Sequence, residues 1–295
     1  MTIQNFPSRP ASYDKKIALV LQGGGALGSY QAGAYEALST SAYLPDWVAG
    51  ISIGAINAAI IAGNPPLERV KRLRAFWEHI TAPTSWLMSY SSSALNIWEQ
   101  KASALSSICW GQPGFFTPLS LIEWLPNKAV TSFYSTARLK HTLETFVDFD
   151  YLNQDKEVRL SVAAVNIRTG QLAYFDSAEI SIRPEHVMAS AALPPGFPPI
   201  EIEGEYYWDG GLVSNTPLQH ILDYYPRRSR LTFQVDLFQD GGNLPNCLED
   251  VFERKKDIRY SSRTLINTEN FRQKHEVRHA INELYKILPD DIAHT

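Results

Sequence analysis

Ser52 stands between two glycines in Gly50-Ile51-Ser52-Ile53-Gly54. G-x-S-x-G is the spacing of a nucleophilic serine on a sharp strand-to-helix turn, where Cβ atoms two residues to either side would collide. A serine hydroxyl attacks a carbonyl only when a base takes its proton and donors receive the developing oxyanion. Asp209 is a candidate base: it ends the aromatic run Tyr206-Tyr207-Trp208 and is followed by Gly210 and Gly211, which let the backbone turn tightly. Asp-Gly-Gly is also an ordinary turn, and alone it says little. Candidate donors lie in Gly23-Gly24-Gly25-Ala26-Leu27-Gly28, where consecutive N–H groups at a helix N-terminus can face an anion.

That glycine loop has rival readings. Gly23, Gly25 and Gly28 satisfy G-x-G-x-x-G after a strand, the dinucleotide fingerprint, which also demands an acidic residue at the end of the second strand. Asp46 precedes that strand, and its far end is occupied by Ser52, so the cofactor reading fails its own requirement. No Gly-Lys-Ser/Thr follows the glycines, which excludes a P-loop. The histidines are His79, His141, His186, His220, His275, His279 and His294, most of them in helical patterns; His220 keeps the chain order of a triad member and remains a minor candidate.

The elements that must hold these residues follow from hydrophobic pattern. Lys16 to Gln22 reads as a buried parallel strand, the glycine loop as its tight exit, and residues 29–39 as the next helix. Asp46 to Ser52 repeats the unit, with Ala55 to Gly63 as helix until Asn64-Pro65-Pro66 stops it. Residues 67–80 and 137–149 are amphipathic helices. Residues 158–176 read as two strands joined at Arg168 to Gln171, and residues 200–211 as a hairpin about Glu203-Gly204. The expected fold is three-layer α/β/α around a mixed, mainly parallel sheet.

Three segments organise the chain: a lead-in over 1–16, a domain over 17–237, and a charge-dense helical extension over 238–295, read as two helical stretches. Within the domain, Ala82 to Thr136 carries Trp86, Trp98, Trp110, Phe115, Phe116 and Trp124 with few charges. It reads either as a cap packing its own aromatics or as a lid that contacts lipid. The 295 residues have a formal charge of −4, which calls for no nucleic-acid partner. Cys109 and Cys247 lie far apart, which fits neither a disulfide framework nor a zinc site. With no apolar h-region near the N-terminus and no apolar run long enough to span a bilayer, the expected location is cytoplasmic.

The ordered motifs QGGGALG, GISIG and DGG, with the stretches AVNIRTGQLAYF and ASAALPPGFPPIEIEGEYYWDGGLVSNTPL, resemble the patatin-like phospholipase family from about Ile17 to about Leu237. The resemblance implies a serine–aspartate dyad: Ser52 as nucleophile, Asp209 as base, Gly23, Gly24 and Gly25 with the loop to Gly28 as oxyanion hole, and no catalytic histidine. Gly50, Gly54, Gly210 and Gly211 support the two bends. The segment after Asp240 is similar to an extension found in one bacterial branch. One departure is Leu27, where the family often carries Lys or Arg; lysophospholipids, neutral lipids and other acyl esters are therefore equally admissible. The expectation is a serine acyl hydrolase acting on lipid or acyl esters, needing neither metal nor cofactor, with peripheral membrane contact. An acyltransferase or thioesterase on the same dyad, an oxidoreductase, and a silent lipid-binding protein are the alternatives.

Overall fold

The computed structural model describes residues 9–10, 12–82, 111–120, 130–155 and 157–287. Strand β1 (Lys16–Leu21) is buried at every position after its first. It is flanked on both edges by parallel strands, β2 (Trp47–Gly50) and β9 (Arg230–Val235). An unbroken apolar run is what such a two-sided position requires. Strand β2 pairs in parallel with β5 (Arg159–Asn166), which also carries β6 (Leu172–Asp176) and β8 (Glu205–Asp209) antiparallel; β8 closes a hairpin with β7 (Ile200–Ile202). The sheet order is β7-β8-β5-β2-β1-β9, with β6 on β5. Five of its seven strands point one way, so it is mixed and mainly parallel.

The register on β5 determines where chemistry can occur. Strand β6 pairs with Ser161 to Val165, overlapping both β2 (on Arg159 to Val162) and β8 (on Ala164 to Asn166). A strand has two edges, so β2 and β8 must share the one that β6 leaves. They run toward each other along it and stop at Gly50 opposite Val162 and Asp209 opposite Ala164. Only Ala163 lies between their ends.

Helices α1 (Gly28–Ser39), α2 (Ile53–Ala62) and α3 (Pro66–Thr81) follow the first two strands. All ten residues of α2 are buried, and its Ile56, Ile60 and Ile61 belong to the main core with Leu73 and Phe76 of α3. The helix expected over 137–149 is two helices, α4 (Ala137–Phe146) and α5 (Phe149–Gln154). Val147 is extended, and Asp148 caps α5 by accepting the Tyr151 N–H, which ends one helix and starts the next. Helix α6 (Pro184–Ser190) then leads to the β7–β8 hairpin.

Of the aromatic insertion, the described parts include a two-stranded ladder, β3 (Thr117–Pro118) and β4 (Tyr134–Ser135). Phe116 packs against Tyr134 and Phe197 with ring centroids 4.9 and 5.3 Å apart. Trp86, Trp98, Trp110 and Trp124 lie outside the described residues, as do Cys109 and His294.

Two compact units divide the chain: Met1–Pro217 with Arg228–Leu237, and Leu218–Arg227 with Phe238–Thr295. The second contains α7 (Leu218–Asp223), which carries His220, and α8 (Leu248–Ile287). Helix α8 is one continuous helix of 40 residues instead of the two stretches expected, because no glycine or proline interrupts it. No helix among the described residues is long and apolar enough to cross a membrane.

Candidate active site

Ser52 follows Ile51 in the two-residue bend between β2 and α2, with φ 57° and ψ −127°. That is a left-handed conformation which an L-residue holds only when its surroundings force it. The forcing is visible in the flanking glycines. A Cβ on Gly50 would lie 2.1 Å from the Gly54 carbonyl oxygen, and one on Gly54 2.3 Å from the Leu21 oxygen, so the bend is pressed against itself and against the end of β1. Ser52 is half-buried, and its side chain makes no capping bond to α2.

The rear of the bend is held by a residue that sequence reasoning gave no role. The Ser52 N–H donates to both the carbonyl oxygen of Ser190 (3.1 Å) and its hydroxyl (3.2 Å). That hydroxyl in turn donates to the carbonyl of Ala163, the residue between the ends of β2 and β8, at 2.7 Å. Two residues on, the Ala192 carbonyl accepts the Asp209 N–H at 2.9 Å. One short segment at the end of α6, Ser190 to Ala192, thus fixes the backbones of both Ser52 and Asp209.

Asp209 is 1 % exposed. Burial pushes its carboxyl up to about 7 from an ordinary 3.8, opposed by the Gly211 N–H, which hydrogen-bonds to it, and by the neighbouring Ser52 hydroxyl. The Gly211 bond is 2.7 Å long. A Cβ on Gly210 would sit 2.6 Å from the Ala163 oxygen, so this turn too lies directly on β5. A carboxylate poised near neutrality beside a serine hydroxyl is matched to general-base work. His186, by contrast, is buried against Phe175, accepts the Arg183 N–H through Nδ1, and is held neutral by burial, which pulls it down to about 4.

The glycine loop lies against the bend: a Cβ on Gly23 would be 3.0 Å from Ser52 Cβ. Not every N–H in it is open, as the sequence reading assumed. The Gly23 N–H donates to the Asn215 carbonyl (3.0 Å), and the Gly28 N–H to the carbonyls of Ala26 and Gly25. The N–H groups of Gly24 and Gly25 make no hydrogen bond among the described residues, and neither does that of Ile53, the first residue of α2. Gly28 instead packs on Ile53, whose Cγ1 would be 2.5 Å from an added Cβ. A buried polar chain binds loop to helices: Gln31 Nε2 donates to the Gln22 carbonyl (2.6 Å), Asn57 Nδ2 to Gln31 Oε1 and the Gly28 carbonyl (both 2.9 Å), and Trp77 Nε1 to Asn57 Oδ1 (3.1 Å). Among the described residues no His, Cys, Asp or Glu cluster could hold a metal ion.

A family model described as a patatin-like phospholipase matches residues 19–222, and a second, DUF3734, described as a patatin phospholipase, matches residues 258–295. No curated protein matches the sequence. Among solved structures, VipD from Legionella pneumophila is 17% identical with a TM-score of 0.40, the match covering 77% of this chain and 50% of that one. ExoU, in its complex with SpcU from the type III secretion system of Pseudomonas aeruginosa, is 18% identical with a TM-score of 0.37, covering 90% and 53%. The chain spans about half the length of each.

Proposed function

The chain belongs to the patatin-like phospholipase family, and on that premise we propose that it is a serine hydrolase of fatty-acyl esters working through Ser52 and Asp209. Asp209, ionised, takes the hydroxyl proton as Ser52 Oγ attacks the acyl carbonyl carbon. The carbonyl oxygen becomes an oxyanion received by the N–H groups of Gly24 and Gly25. Collapse of the tetrahedral intermediate breaks the ester C–O bond, the departing alkoxide takes the proton from Asp209, and an acyl-enzyme remains. Water then attacks the acyl carbon and gives a proton to Asp209. The fatty acid leaves as Ser52 regains that proton. Membrane contact is part of this reading, since the acyl esters concerned are lipids.

The observation that supports it most is the pairing of a serine held at φ 57° with a buried carboxylate that its hydroxyl neighbours. Strained nucleophiles and carboxylates raised toward neutrality are features of working sites rather than of ordinary turns. A fluorophosphonate probe is expected to label the native protein on Ser52 and to abolish hydrolysis of a long-chain p-nitrophenyl ester, with Ser52→Ala neither labelled nor active. Equal hydrolysis by Ser52→Ala would refute the assignment.

A further inference from the structure

We infer that Asn215 is a positioning residue that locks the Gly23–Gly24 peptide in the orientation needed to stabilise the oxyanion; this rests on the hydrolase reading above. Asn215 is 5 % exposed and lies just past the turn that carries Asp209. It grips Gly23 twice across 192 positions of sequence: the Gly23 N–H donates to its backbone carbonyl at 3.0 Å, and its Nδ2 donates to the Gly23 carbonyl at 2.7 Å. Its Oδ1 faces both loops, 2.4 Å from where a Gly23 Cβ would be and 2.9 Å from where a Gly211 Cβ would be.

The Gly23 carbonyl and the Gly24 N–H belong to one planar peptide. In a trans peptide they point in opposite directions, so a bond that fixes the oxygen also fixes the N–H. Gly24 carries one of the N–H groups left open beside Ser52. Glycine on both sides of that peptide gives rotation of the plane little steric resistance. The Asn215 side chain is what holds the carbonyl away from the reacting oxygen. The same side chain lies over Gly211, whose N–H bonds Asp209, so donor and base are registered to each other by one amide group.

The test is steady-state kinetics of Asn215→Ala on a long-chain ester, paired with the inhibition constant of an alkyl trifluoromethyl ketone, which binds serine hydrolases as a tetrahedral oxyanion. With the N–H free to swing away, kcat is expected to fall about a hundredfold, the loss reported for a missing oxyanion donor. KM should stay within about threefold, and the ketone should weaken by a factor similar to the loss in kcat. A residue that only supports the fold would lower the melting temperature without weakening the ketone relative to substrate. If Asn215→Ala does not fold, Asn215→Ser, too short to reach the Gly23 carbonyl, is judged by the same criteria. A kcat within threefold of native, a loss confined to KM, or a fall in kcat with unchanged ketone affinity would each overturn the inference. Failure of the underlying hydrolase reading is distinct, because native protein would then neither hydrolyse the ester nor take the fluorophosphonate.

Discussion

A carboxyl raised to about 7 makes Asp209 a liability to the fold as well as an instrument. Between its ordinary 3.8 and about 7 the folded chain keeps a proton that the unfolded chain has lost. Stability contributed at this residue is therefore full at low pH, declines as pH rises through that window, and is level above it. Asp209→Asn has no proton to lose. Relative to native protein it should gain nothing below about pH 4 and on the order of 4 kcal/mol above pH 7, read as urea midpoints at pH 4 and pH 8. A midpoint difference independent of pH would show that the buried charge is not the cause. Hydrolysis runs the other way: the base must be ionised, so kcat/KM of the native enzyme should rise through an acid limb near the same value. Most of the candidate site was legible in the sequence because glycines mark the places where backbone must touch backbone. Ser190 and Asn215 were not, since their partners lie 138 and 192 positions away and an isolated Ser or Asn carries no sign of them. Nor can glycine spacing say which N–H groups are already taken; those of Gly23 and Gly28 are.

At the scale of elements, α1, α2 and α3 are joined by more than apolar packing. Asn57 receives the Trp77 indole N–H and donates to Gln31 and to the Gly28 carbonyl, all in buried surroundings. Trp77→Phe would keep most of the ring and leave Asn57 Oδ1 without its donor, which costs about 1–3 kcal/mol for a buried acceptor. A fall in the urea midpoint of that size is expected at neutral pH, and an unchanged midpoint would show that the indole bond contributes nothing. The strands were easier to read than the helices. Two-sided burial leaves an apolar run in β1, and both hairpins announce themselves by turn residues at Arg168 to Gln171 and Glu203-Gly204. The break between α4 and α5 turns on the local capping by Asp148, which helical periodicity passes over.

For the molecule as a whole, the second unit is dominated by a single long helix on which Leu248, Phe252, Ile258, Leu265, Ile266 and Leu284 are exposed. In the first unit the sheet joins strands from distant parts of the chain, and β1 is flanked by β9 from near that unit's end. Non-local pairing of this kind is slow. On dilution from denaturant, far-UV circular dichroism should recover ahead of ester hydrolysis; identical time courses would contradict this. The meeting of β2 and β8 on one edge of β5 gives that lag a biological side. Ribosomes deliver Ser52 before Asp209, so on the reading proposed above an emerging chain carries its nucleophile before the base that activates it has been made. On that reading the hydrolase is born disarmed: until β8 docks, the lipids around a growing polypeptide meet a serine that cannot cut them.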